Sequence, residues 1–206
     1  MSPPNVTQAP PPLLRGIDVS HYQGHVDWPA VAAAGYSFTW CKLTEGAGYV
    51  DPTGVRNLAA ARVAGLHAGA YHFFRGSGAA EAAHFLAALP PDVDALPPRL
   101  PPALDLEATL PDGAAEEALT WLRIVHDATG VAPVVYVSPA WAQVHRLDRW
   151  PAFGNYGLWL AEWSVVTPKP PAPWDSWLAW QTGAGEVPGV GGSCDVDVAR
   201  ASLVGA

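Results

Sequence analysis

Asp105-Leu106-Glu107 closes the short apolar segment Pro102-Ala103-Leu104. Side chains alternate along an extended strand, so Asp105 and Glu107 are expected on one face, a few ångströms apart. Two carboxylates that close do not both ionise freely, and one is pushed towards its protonated form. A carboxylic acid beside a carboxylate suits glycosidic bond cleavage. One group protonates the leaving oxygen while the other stabilises or attacks the sugar. An isolated Asp-x-Glu serves equally well as a helix cap or ion pair, so its meaning depends on its company.

More acids fall at comparable places. Asp18 ends the apolar run in Gly16-Ile17-Asp18-Val19-Ser20, Glu45 follows Lys42-Leu43-Thr44, and Asp195 and Asp197 lie in Cys194-Asp195-Val196-Asp197. The segments that must carry them read as strands at 14–19, 36–43, 66–74, around 105, 133–137, 158–161, 176–181 and 194–198. Helical spacing covers 28–35, 52–65, 78–89 and 114–129, with Gly35 and Gly130 as stops. The Pro-rich stretch 90–102 reads as a long loop, and 183–192 as another. Alternating strands and helices predict a parallel sheet with helices outside. Eight strands suggest an abbreviated (β/α)8-like barrel, α/β in class, with helices missing from its last third. Catalytic groups of such barrels sit at the C-terminal strand ends, where these acids fall. Closure also makes the first and last strands neighbours, which places Asp18 beside Asp195 and across the mouth from Asp105 and Glu107.

A chain of 206 residues that is 50% hydrophobic can bury one core, so a single domain over 14–206 is expected after a Pro-rich extended lead-in over 1–13. The net charge of -8 argues against nucleic acid and against anionic membrane surfaces. No run is long enough for a membrane span. Met1 to Arg15 lacks the pattern of a secretory signal, so release by a separate route, or trimming of a secreted enzyme, is expected. Cys41 and Cys194 are too few for a disulfide framework and read as buried free thiols. The seven histidines show no ligand spacing, so no metal is expected. No glycine-rich run follows a strand in a nucleotide-binding pattern, so no cofactor is expected either. Ten tryptophans suggest sugar-stacking faces as well as core. Tyr22, Tyr71, Phe73, Tyr136, Trp159, Trp163 and Trp180 lie near expected strand ends, although Phe73 and Trp180 alternate with apolar neighbours. Lys42 and Gln181 are candidate hydrogen-bond donors to sugar substituents.

The ordered series Gly16-Ile17-Asp18-Val19-Ser20, Tyr22-Gln23-Gly24, Asp27-Trp28, Lys42-Leu43-Thr44-Glu45-Gly46, Gly69-Ala70-Tyr71-His72-Phe73, Leu104-Asp105-Leu106-Glu107, Leu158-Trp159-Leu160-Ala161, Trp180-Gln181 and Asp195-Val196-Asp197 resembles family 25 of the glycoside hydrolases, the Chalaropsis-type lysozymes. The resemblance spans residues 14 to 200. It implies a flattened barrel and cleavage of the β-1,4 bond between N-acetylmuramic acid and N-acetylglucosamine in peptidoglycan. Carried over, Glu107 matches the general acid/base, Asp105, Asp18 and Asp195 its acidic companions, and Tyr71 a tyrosine lining the sugar site. Asp197 stands where the family usually has asparagine, which adds a carboxylate to that corner. Glu45 and Asp197 complete the expected substrate contacts.

Asp105 and Glu107 share one strand, too close to flank a bond with water between them, so retention is expected, assisted by the substrate acetamido group or, alternatively, through direct attack by Asp18 or Asp195. The partner expected is cell-wall peptidoglycan, met by a monomer. The competing readings are a barrel that holds glycan without cutting it, and a hydrolase of chitin-like polymers.

Overall fold

The computed structural model describes residues 12–90 and 99–205. The expected lead-in therefore lies outside the described residues up to position 11, as does 91–98 of the expected loop. In chain order the main elements are β1 (Leu14–Val19), α1 (Trp28–Ala33), β2 (Phe38–Glu45), β3 (Tyr49–Val50), α2 (Gly54–Val63) and β4 (His67–Phe73). They continue with α3 (Gly78–Ala88), β5 (Ala103–Leu106), α4 (Ala114–Thr129), β6 (Val134–Val137), α5 (Pro139–Val144), β7 (Gly157–Ala161), β8 (Ala179–Glu186) and β9 (Ser193–Ala199).

Eight strands close a barrel in the order β1-β2-β4-β5-β6-β7-β8-β9, with β9 returning to β1 and the two-residue β3 folded onto β2. All neighbours from β1 to β8 pair in parallel, but β9 runs antiparallel to both β8 and β1. The expected all-parallel sheet is corrected here. A hairpin joins β8 to β9 because no helix lies between them to carry the chain back across the sheet. The glycine-rich 183–192 stretch is likewise not all loop, since β8 runs on to Glu186. Its backbone shifts register between Gln181 and Gly183, whose φ is 154°. Helix α5 went unread in the sequence because it is only six residues long. Ser138 starts it by accepting from Trp141 N, with Pro139 at the first helical position.

Two apolar layers hold the barrel. The outer one packs α2, α3 and α4 on the sheet through Leu58, Phe85, Trp121, Leu122 and Val125. The inner one fills the barrel with Phe38, Trp40, Tyr71, Val134, Tyr136 and Trp159. Trp40 and Trp159 stack with centroids 4.3 Å apart. Room for rings this large comes from missing side chains on the neighbouring strands. A Cβ on Gly69 would sit 2.8 Å from Trp40 and 2.9 Å from Leu100, and one on Gly16 would strike the Phe38 ring. This aromatic plug closes the barrel below its rim, so polar groups above it face one mouth only.

Candidate active site

Above the plug lies a layer of buried polar side chains: Asp18, Lys42, Asp105, Gln181 and Asp197. Asp18 and Asp105 stand at the C-terminal ends of β1 and β5, as expected, whereas Lys42 lies within β2 and Gln181 ends the part of β8 that pairs with β7. Asp195 and Asp197 arrive differently. Asp195 lies in the first half of β9 and Asp197 just past its middle, and the reversal of that strand brings its beginning to the rim where the parallel strands finish. Asp18 and Asp195 are direct cross-strand partners. Their predicted adjacency is observed, through an antiparallel ladder.

Lys42 and Glu45 are three residues apart and would face opposite ways in a regular strand. A bulge between Lys42 and Thr44 changes this, and Lys42 Nζ donates to Glu45 Oε2 at 2.6 Å. The bulge lets Leu43 and Thr44 both turn outward. Leu43 joins the outer core, and Thr44 Oγ1 meets His72 Nδ1 at 2.7 Å. His72 Nε2 in turn meets Glu81 Oε2 at 2.7 Å, and Glu81 also accepts from Arg75 N and Ser77 N. Burial pushes His72 below the ordinary imidazole range despite Glu81, so it is a neutral donor to that carboxylate. Burial alone would raise Glu81, but the bonds from His72, Arg75 and Ser77 outweigh it and hold the carboxyl low. His72 thus supports the rim from behind.

Arg75, which sequence reasoning missed, donates through Nε to Glu45 Oε1 at 2.9 Å. Its guanidinium lies 4.6 Å from the Phe73 ring, and Lys42 Nζ lies 4.6 Å from it as well. Two cations thus approach the Phe73 ring. Arg75 stands two residues past Phe73 on the same alternation, and that was the available signal. Burial would raise Glu45, but the bonds from Lys42 and Arg75 outweigh it and keep the carboxyl below the ordinary range.

Gln181 is the hub of the opposite wall. Its Oε1 accepts from Tyr136 Oη at 2.9 Å and Trp163 Nε1 at 2.8 Å, while Nε2 donates to Asp18 Oδ2 at 2.8 Å. Trp159 Nε1 donates to Asp197 Oδ1 at 2.8 Å. Trp159 is therefore a core residue and a hydrogen-bond donor, and its ring is covered by Trp40. This corrects its expected role as a sugar platform. Trp180 is corrected too: it packs on the outer apolar layer and donates to Glu162 O. Tyr71 and Tyr136 are buried, and each meets Trp159 in a T-shaped contact. Tyr22, 82% exposed, and Trp163, 51% exposed, stand at the lip. Tyr22 stacks on His21 at 4.2 Å, and His21 is tied to Asp51 at 2.8 Å.

Strand β5 stops at Leu106, so Glu107 sits one residue beyond the ladder. It is the exposed member of the pair, whereas Asp105 is buried. Glu107 keeps some open surface, yet enough protein surrounds its carboxyl for partial desolvation to raise it, with Asp195 adding to the rise and Lys42 and Arg75 opposing it. Burial, then Glu107, raises Asp105 well above the carboxylate range. Burial, then Asp197 and Asp195, does the same to Asp18. Burial also raises Asp195 and pushes Asp197 up to about 8. Asp105 Oδ1 is buried without a hydrogen-bond partner among the described residues. Such an atom is expensive unless something else supplies a donor. Beside Glu107 opens a depression of about 390 Å³ whose lining includes Thr109, Leu110, Ser138, Trp141 and His145. The thiols of Cys41 and Cys194 are free and buried. Desolvation pushes Cys41 up to about 12 and raises Cys194, so neither is a nucleophile here.

The arrangement offers an accessible acid with a raised carboxyl at a rim, a buried acid with an unfilled acceptor beneath it, and a wall of further carboxyls. The model of the family described as glycosyl hydrolases family 25 matches residues 17–190. The chain is 34% identical over 196 residues to Lysozyme M1 of Streptomyces globisporus, covering 88% of this chain and 66% of that protein. It is 30% identical over 181 residues to the N,O-diacetylmuramidase of Arthroderma benhamiae, covering 82% and 76%. The chain thus spans about two thirds to three quarters of the length of these two relatives. The bacterial lysozyme from Streptomyces coelicolor superposes with a TM-score of 0.81 at 29% identity, over 93% of this chain and 94% of that one.

Proposed function

The chain belongs to glycosyl hydrolase family 25, and on that premise we propose that it is a muramidase, cutting the β-1,4 bond between N-acetylmuramic acid and N-acetylglucosamine in bacterial peptidoglycan. The observation that carries this reading is the pairing of an exposed, raised Glu107 with a buried Asp105 that has one unfilled oxygen. Glu107 protonates the leaving oxygen, and the leaving sugar rests in the depression lined by Thr109, Leu110 and His145. Asp105 Oδ1 accepts the N–H of the muramyl acetamido group, which turns the amide oxygen towards the anomeric carbon. That oxygen attacks, the C1–O bond breaks, and a cyclic oxazolinium forms. Water enters with Glu107 now acting as base, opening the ring with net retention. Asp18 and Asp195 form the acidic wall that stabilises positive charge as it develops on the sugar ring. Phe73, Tyr22 and Trp163 offer ring faces at the lip. The net charge of -8 does not favour adhesion of this chain to an anionic wall, so these sugar contacts carry its own hold on the substrate.

The test is clearance of turbidity from purified bacterial walls, with the first-formed product anomer followed by NMR. Wild type is expected to clear walls and release β-anomeric muramic acid ends, and Glu107→Gln is expected to lose about 10³-fold in rate. Release of glucosamine ends, or an α-anomer at first turnover, overturns the assignment or the retaining route respectively.

A further inference from the structure

Two neighbouring buried carboxyls in this barrel share few donors, and one of them, Asp197, has an oxygen that no described donor reaches. Asp18 and Asp197 lie on the same face of the β1–β9 ladder, with Asp197 opposite Gly16 and Asp195 opposite Asp18. That makes Asp18 and Asp197 diagonal neighbours, within reach of each other across the pair. Gly16 brings no side chain of its own between them, and each carboxyl acts on the ionisation of the other. Each has one outside donor. Trp159 Nε1 serves Asp197 Oδ1, and Gln181 Nε2 serves Asp18 Oδ2. Asp197 Oδ2 is buried and receives no hydrogen bond. Among the described residues no ion pair reaches either group, and the ammonium of Lys42 is tied to Glu45.

We propose that Asp197 is a positioning residue: it shares a proton with Asp18, so that the pair carries a single negative charge and holds the Asp18 carboxyl turned towards the site. The proton lies between Asp197 Oδ2 and Asp18, where it supplies the missing donor. Two acceptor-only carboxylates enclosed together cannot both ionise without a large desolvation and repulsion cost, so the proton belongs to the pair. The charged and titratable groups around it are Asp195 on β9, Asp105 and Glu107 on or just after β5, Tyr136 on β6, Tyr71 on β4 and Lys42 on β2. Asp195 and Asp105 disfavour ionisation of the pair, and burial acts in the same direction. Gln181 and Trp159 on β8 and β7 oppose them through their single N–H bonds. The role of Asp18 in this account rests on the muramidase reading, but the proton does not.

The test compares wild type, Asp197→Asn and Asp197→Leu. A carboxyl raised by folding weakens the fold as pH climbs from its unfolded value towards its folded one, here about 8. Wild type is therefore expected to lose melting temperature between about pH 5 and pH 9, and Asp197→Asn, which donates without titrating, to lose distinctly less. Asparagine is expected to keep wall-clearing activity within about tenfold, and leucine, which leaves Trp159 Nε1 without its acceptor and Asp18 with Gln181 alone, to lose about 100-fold. Infrared spectra of the wild type are expected to show a protonated-carboxyl carbonyl stretch at about pH 6 that fades above about pH 8. Equal pH slopes for wild type and Asp197→Asn, loss of activity in a folded Asp197→Asn, or no such infrared band overturns the proposal. A wild type that fails to clear walls but keeps the slope difference overturns the muramidase reading and leaves the shared proton standing.

Discussion

Replacing Gly54 by alanine tests how the site is built. Gly54 is the first residue of α2, and in an unconstrained helix the change stabilises by about 1 kcal/mol. Here the added methyl would run into the Lys42 carbonyl oxygen, about 1 Å inside an ordinary contact of roughly 3.5 Å, and would lie 3.2 Å from Leu43 Cα. Both obstacles are backbone and belong to the bulge that turns Lys42 and Glu45 to the same face. Either α2 backs away from the sheet or the bulge is pushed towards the mouth. Overpacking of this kind costs about 1–3 kcal/mol. For a chain of this length, about 2 kcal/mol lowers the melting temperature by about 4–8 °C. A shift of about 1 Å at Lys42 lowers kcat/KM by about 100-fold. Differential scanning fluorimetry and wall clearance read the two effects. Gly48→Ala is the control, because a Cβ there meets nothing within 4 Å. An unchanged or higher melting temperature for Gly54→Ala would show that the bulge is not held by this close approach, and the account of Lys42 would fail with it.

Two further outcomes follow from the network behind and within the rim. Glu81→Ala removes the acceptor of Arg75 N, Ser77 N and His72, and should cost about 3 kcal/mol in urea unfolding with an unchanged m-value; a loss below about 1 kcal/mol would refute the role given to Glu81. Lys42→Met removes the ammonium that lowers both Asp105 and Glu107, so both carboxyls should rise. Activity that needs the Glu107 proton is lost as pH climbs through the folded value. The alkaline limb of the wall-clearing profile should therefore move to higher pH in Lys42→Met, and a limb that stays put or moves down contradicts the charge placement.

Much of this protein is legible one segment at a time. Periodicity marked β1 and α4 to the residue, because Leu14–Val19 and Ala114–Thr129 carry clear apolar patterns and Gly130 ends its helix in a left-handed conformation, φ 67°. Alternation put Asp18 at the finish of a strand, and the ordered motifs named the family. Other features depend on partners distant in sequence. The direction of β9 is set by a hairpin to β8 and by pairing with β1, nearly 180 residues away, so Asp195 reaches the rim from the beginning of its strand. The pairing of Lys42 with Glu45 depends on a bulge that strict alternation does not anticipate. Trp159 and Trp180 look alike as aromatic residues near strand ends, but one fills the barrel and the other packs outside it. Local sequence determines which residues are strand, helix or acid, because backbone preference and side-chain period act over a few residues. Only the closed barrel decides which carboxyls are enclosed together and which one stays open to solvent. Desolvation and mutual repulsion depend on distances through space, and the chain order does not contain them.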